Sequence, residues 1–274
     1  MYRFLCLLLG VLALGTPPAR ATDKHTIAIV PQFSATQLRA EWQPLLERLG
    51  AQVGVAFELR FHPTIPAFEA AFLRGETDFI FANPYHAVMA RRAQGYVPLV
   101  RERKPLTGIL VVAGASPART LQDLAGRAIA FPAPNAFGAS LYMRALLAEE
   151  AGIDFEARYV KTHLNVYRQV AMGDVAAGGG INQTLADIPA SLRAQLRILY
   201  ETPGAAPHPL AAHPRVDAAL SARVTESVLA LARDPAGLAL LRAVRMAEPV
   251  AADYARDYAP LEDLKLDQYV VLER

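Results

Sequence analysis

Short apolar runs alternate along this chain with segments whose apolar residues recur every three or four positions. Residues 26–30 are an apolar, β-branched run ended by Pro31, the pattern of a strand buried on both faces. Leu38, Trp42, Leu45, Leu46 and Leu49 then fall on one helical face, with Ser34 or Thr36 as cap and Gly50 as the expected stop. Residues 55–61 alternate apolar and polar and predict a strand. Thr64 caps a predicted helix carrying Phe68 and Phe72 and stopping at Gly75, 78–82 predict a strand, and Asn83-Pro84 opens another helix. A β-α-β-α-β order is the grammar of a parallel sheet with helices on both faces.

A second run of the same kind follows. Residues 109–112, 128–131, 157–160, 176–179 and 196–200 read as strands, and 120–126, 138–152 and 164–172 as helices. Each run contains a helix ending in glycine, a polar turn and a strand: Gly75-Glu76-Thr77-Asp78 and Gly173-Asp174-Val175-Ala176. Pro203, Pro207, Pro209 and Pro214 predict a loop, which places His208 and His213 at the surface. From about residue 221 the pattern is mostly helical.

The first 21 residues differ. Arg3 precedes an apolar run over 4–14, and Ala19-Arg20-Ala21 is a small-x-small site. This is the pattern of a cleaved export signal, with cleavage expected after Ala21. The run is shorter than the roughly 20 apolar residues a bilayer span needs. Cys6, the single cysteine, lies within it, so neither a disulfide framework nor a multi-cysteine metal site is expected. Loss of 1–21 removes Arg3 and Arg20 and no acid, bringing the chain's 28 basic and 26 acidic residues into balance. A neutral chain argues against a nucleic-acid partner, and any charge selection must be local. With 274 residues, two units of ordinary size are expected. The expected location is the periplasm.

Four segments carry a resemblance. Ile29-Val30-Pro31-Gln32 is followed by Trp42-Gln43-Pro44-Leu45-Leu46. Gly75-Glu76-Thr77-Asp78 is followed by Asn83-Pro84-Tyr85-His86. Leu121-Gln122-Asp123-Leu124-Ala125-Gly126-Arg127 stands alone, and Thr162-His163 is followed by Met172-Gly173. In order and spacing they resemble the phosphate/phosphite/phosphonate-binding proteins of ABC importers, over roughly 26–205. The resemblance implies an α/β, two-lobed Venus-flytrap fold, each lobe a mainly parallel sheet flanked by helices. Its segments would be 1–21 signal, 22–106 first lobe, 107–204 second lobe and 205–274 returning to the first. The chain would cross near 105–107 and again near 202–209. A small-molecule ligand would lie between lobes, and an ABC permease would receive it. A membrane histidine kinase is the alternative partner of the same fold. A monomer is expected, with no cofactor and no metal.

The candidate ligand residues follow from the loops at strand ends. Gln32 and Ser34 offer hydrogen bonds, and the N–H groups near Thr36 are unpaired helix donors; Ser34 is equally a plain cap. Tyr85 matches the resembled family's cleft tyrosine, and His86 beside it is either a donor or structural. In that family a Ser-Thr-Ser-Gly turn grips the phosphonate oxygens. Here Asn135 is followed at those positions by Ala136, Phe137, Gly138 and Ala139. Backbone donors remain and hydroxyls do not. Each lost charge-assisted bond costs about 1.5–3 kcal/mol, so weak binding of simple phosphonates is expected, with Phe137 offering an aromatic face instead. His163 matches a second-lobe histidine, and Ala176 stands where the family usually has Asp. Gly178-Gly179-Gly180-Ile181-Asn182-Gln183 reads either as a loop admitting ligand to the backbone, with Asn182 in contact, or as tight strand–helix packing.

An enzyme is the rival class. The sequence holds no G-x-S-x-G, no H-E-x-x-H and no Walker loop. A metal held by His86, His163 and a carboxylate across a closed cleft is a further alternative.

Overall fold

A computed structural model describes residues 23–272. The export-signal expectation, Cys6 included, lies outside the described residues. Among them no helix is long and apolar enough to cross a membrane.

The first lobe begins with β1 (Lys24–Ile29), α1 (Ala35–Val53), β2 (Ala56–Arg60), α2 (Ile65–Leu73), β3 (Phe79–Phe81), α3 (Pro84–Gln94) and β4 (Val97–Glu102). The apolar stripe of α1 is buried as its periodicity requires, from Leu38 and Trp42 to Leu49 and Val53. Each such side chain contributes about 1.5–3 kcal/mol relative to exposure. The helix does not stop at Gly50. It runs one turn further to Gly54, which takes φ 78° and donates its N–H to Gly50 O. Gly50 is glycine for another reason: a Cβ there would lie 2.6 Å from Val55 O, where the chain turns back into β2.

The second lobe holds β5 (Gly108–Ala113), β6 (Ala128–Phe131), α4 (Tyr142–Ala145), β7 (Glu156–Tyr159), α5 (His163–Met172), β8 (Ala177–Ile181), α6 (Asn182–Asp187), α7 (Ala190–Arg193) and β9 (Leu196–Glu201). Only a 3₁₀ turn, Gln122–Leu124, forms in the expected helix 120–126. The α4 turn is flanked by π-helical turns at Phe137–Leu141 and Leu146–Glu150, making one helical segment over 137–150. The glycine run is a strand, β8, buried throughout. Its glycines are packing devices. A Cβ on Gly179 would meet Ala139 O and Phe131, one on Gly178 would meet Val166 and Val170, and one on Gly180 would meet Tyr167. Helix α5 and the 137–150 segment therefore approach β8 to backbone contact from its two faces, which is the packing alternative for this run.

The chain then returns through β10 (Pro209–Ala212), α8 (Ala218–Leu231), α9 (Pro235–Ala243), β11 (Pro249–Ala251) and α10 (Tyr254–Asp257), with 3₁₀ turns Ala259–Leu264 and Leu266–Tyr269. The first sheet has the order β11-β4-β10-β3-β1-β2 and the second β7-β6-β8-β5-β9. The two-lobed α/β fold stands, but both sheets are mixed. β10 runs antiparallel to β3 and β4, and β5 runs antiparallel to β8 and β9. Strand β10 corrects the reading of 203–214 as a plain loop. Pro209 starts the strand, a position that tolerates a missing N–H, and Leu210, Ala211 and Ala212 are buried. His208, expected at the surface, is 5% exposed and lies near-parallel over Phe81 with ring centroids 5.6 Å apart. Pro98 of β4 is accommodated by a register shift opposite Leu210/Ala211.

The two crossing segments pair with each other, Leu106 and Ala205 exchanging backbone hydrogen bonds of 2.9 Å. Asn182 braces this junction: its Oδ1 accepts from Thr107 N at 3.3 Å and its Nδ2 donates to Pro105 O at 3.3 Å.

Candidate ligand-binding cleft

Three helices begin at the seam between the lobes. Ser34, Thr64 and Thr162 cap α1, α2 and α5, their hydroxyls accepting from Gln37 N, Ala67 N and Asn165 N at 3.2 Å each. Each cap satisfies one first-turn donor and leaves others open, with the positive end of the helix dipole facing outward. These three helix starts line one cleft of about 500 Å³. The walls are apolar: Phe33, Phe61, Tyr159 and a row of prolines that includes Pro63 and Pro132. Among the described residues that line it, Lys161 brings the only formal charge and none is a carboxylate. Lys161 sits at φ 74° in a tight turn closed by Thr162 N donating to Val160 O at 3.0 Å. That left-handed backbone is costly for a residue with a side chain.

Phe33, Ser34 and Thr162 also border a second space of about 300 Å³, reached by Gln32, His163 and Asp187. His163 is buried and its Nδ1 faces Thr184 Oγ1 at 3.2 Å, the hydroxyl in turn meeting Tyr167 at 2.8 Å. Burial pushes the His163 pKa down to about 4, so the ring is neutral at pH 7. Deeper in the junction lies a void of about 20 Å³ between Gln32, Gln183 and His208, room for about one water. His208 Nε2 is buried there without a protein partner, and burial takes this histidine to about 3.

One ion-pair cluster bridges the lobes beside these spaces. Arg245 contacts Glu41 of α1 at 2.8 Å and Asp187 of α6 at 2.6 Å, and its guanidinium lies 4.1 Å from the centre of the Phe33 ring.

The structure distributes the residues singled out from the sequence unevenly. Gln32, Ser34 and His163 border the spaces just described. Thr36 is exposed in the first turn of α1. Tyr85 is buried and its hydroxyl donates to Asp267 at 2.8 Å, on the C-terminal turn; burial and that carboxylate hold its proton on. His86 is buried against Glu69, Nε2 to Oε1 2.8 Å. Asn135 completes this network from the second lobe. Its amide donates to Glu69 Oε2 at 2.9 Å and to Val271 O at 2.8 Å, and its backbone carbonyl accepts from Asn83 at 3.0 Å. Ala136, Phe137 and Ala139 are buried in one apolar cluster with Val30, Tyr85 and Ile181, and Phe137 stacks on Tyr142 at 5.7 Å. Gly138 packs against Leu106, Gly108 and Ile181. Asn182 is spent on the crossing segment. His86 and His163 are engaged by different partners, and among the described residues no group of three potential metal ligands occurs.

Phe61, Tyr159 and Lys161 were not singled out. A signal for them existed. Thr64 and Thr162 are caps directly after predicted strands, and the residues just before such caps face the same cleft as Gln32 and Ser34.

A sequence model described as "ABC transporter, phosphonate, periplasmic substrate-binding protein" matches residues 27–258. Among solved structures, PhnD1 from Prochlorococcus marinus in complex with methylphosphonate is similar with TM-score 0.81 at 14% identity, covering 91% of this chain and 99% of that one. A binding protein component of an ABC phosphonate transporter from Pseudomonas aeruginosa gives 0.79 at 13%, covering 89% and 86%. A Xanthomonas citri protein bound to ATP gives 0.77 at 17%, covering 91% and 100%. At these identities the structural likeness speaks to the fold.

Proposed function

We propose a ligand class for this chain from the premise that it belongs to the phosphonate family of periplasmic substrate-binding proteins of ABC transporters. The family implies a small-molecule ligand and a membrane permease partner; the kinase alternative gains no support. An organic anion is captured in the cleft bounded by Ser34, Thr64 and Thr162. It is held there by Lys161 and the helix starts, and the lobes close over it by rotation about the paired crossings at Leu106 and Ala205.

The observation that carries this reading is the cleft's charge asymmetry: three helix N-termini and a lysine, with no acid among the lining residues. Its volume suits a ligand larger than inorganic phosphate. Neighbours of the same fold are described with methylphosphonate and with ATP, a range that brackets the proposal. The chain is further read as exported, monomeric and acting by binding alone, with lobes divided near 106 and 205.

Thermal unfolding of the purified protein with phosphate, methylphosphonate, phenylphosphonate and benzyl alcohol tests the reading. Stabilisation by at least one of the anions and none by the neutral alcohol is expected. Stabilisation by no anion of the set would overturn it.

A further inference from the structure

The cleft is unusual in what braces its aromatic walls. Phe33, Phe61 and Tyr159 each have a guanidinium against the ring: Arg245 at 4.1 Å, Arg39 at 4.8 Å and Arg144 at 6.0 Å. Cation–π contacts of this kind hold rings in place and add positive potential behind them. The rings are not sealed into a core. Phe33 and Phe61 are only partly buried, and Tyr159 is 42% exposed. Three fixed aromatic surfaces that open onto one cavity are an apolar surface without a partner.

The polar side of the cavity is equally one-sided. Lys161 and the first turns of α1, α2 and α5 provide donors and positive charge, and the lining contains no carboxylate to receive a cation. A neutral aromatic solute would leave these donors unpaired. A small anion would leave the rings wet. Methylphosphonate has five non-hydrogen atoms and at about 30 Å³ per atom fills about a third of the space or less.

Resting on the anion reading above, we infer that the preferred ligand is a phosphonate or phosphate monoester carrying a flat, apolar ring. Lys161 and the Thr162 and Thr64 helix starts take its oxygens, and Phe33, Phe61 and Tyr159 take its body. Offset or edge-on ring contacts add to the plain burial of area. Phe61 is the specificity-determining residue, because it lines the cavity from the β2–α2 loop and is not part of the ion-pair bridge.

Isothermal titration of the full-length mature protein tests this with phenylphosphonate, phenyl phosphate, methylphosphonate and inorganic phosphate. Both aryl ligands are expected to bind about tenfold or more tightly than methylphosphonate. Phe61→Ala is expected to erase that preference, weakening both aryl ligands by about tenfold more than it weakens methylphosphonate. Lys161→Gln is expected to weaken every anion by a similar factor. Equal or tighter binding of methylphosphonate, or an aryl preference that survives Phe61→Ala, would overturn the ring-binding inference and leave the anion reading in place. If none of the four ligands binds, both fall together.

Discussion

Two stretches that meet at the lobe seam have opposite characters. The turn 135–139 is buried, apolar at four of its five positions, and locked by Asn135 to Glu69 and Val271. The rim formed by 31–34, 61–64 and 159–162 is open, carries three helix caps and Lys161, and shows three braced rings. Where the resembled family has hydroxyls to grip an anion, this chain has packing. Where a plain rim would suffice, it has helix-start donors and a lysine, with no carboxylate among the described lining residues. Side chains that fill a junction and side chains that line a cavity are built from the same residue types, and burial separates them.

The largest effect expected from this contrast is at Phe137. Phe137→Ala leaves a cavity at the seam and should cost about 3–5 kcal/mol in chemical denaturation, with ligand affinity of the folded protein little changed. Lost affinity with stability retained would place the ligand at the turn instead.

The second effect concerns pH. His163 and His208 have folded pKa values of about 4 and about 3 against 6.5 unfolded. The neutral forms are favoured in the fold, so their contribution is present above pH 6.5 and is lost as pH falls toward the folded values. At pH 5 each should cost about 2 kcal/mol relative to pH 7. His208→Gln should flatten the pH dependence of the denaturation midpoint, to which the lowered His62 and His213 also contribute; an unchanged slope would show that the ring charges freely. Because His163 is neutral near pH 7, affinity should not rise between pH 7.5 and 6 as it would for an imidazolium donor.

Smaller effects follow at the rim. Ser34→Ala and Thr64→Ala should each cost about 1 kcal/mol of stability through the lost cap, measured by thermal unfolding. Asp187→Asn removes a partly exposed partner of Arg245. It should shift stability by less than about 1 kcal/mol while making the lobes easier to open, seen as a larger radius of gyration without ligand. An unchanged radius would exclude a latch role for this pair.

The α/β alternation, the helix starts at Ser34, Thr64 and Asn83, and most strands were legible because local pattern and local structure agree there. Strand β10 was not, because Pro203 and Pro207 precede it, Pro209 opens it, and its burial comes from β3 and β4, far away in sequence. Strand β4 was missed for a similar reason: Pro98 breaks its pattern and the bulge that absorbs it is tertiary. The site was less legible than the fold. Nothing local distinguishes Phe137, whose ring is buried at the seam, from Phe61, whose ring borders the cleft. Only the approach of the two lobes decides which ring is covered, and that approach joins segments distant in the chain, as where Asn135 meets Glu69 and Asn83.

The most direct measurement is anomalous diffraction from crystals grown with para-bromophenylphosphonate, which locates the bromine and so the ring. A bromine peak between the rim loops, beside Phe61 and Tyr159, is the predicted result. A peak against the 135–139 turn, with Phe137 displaced, would contradict the account.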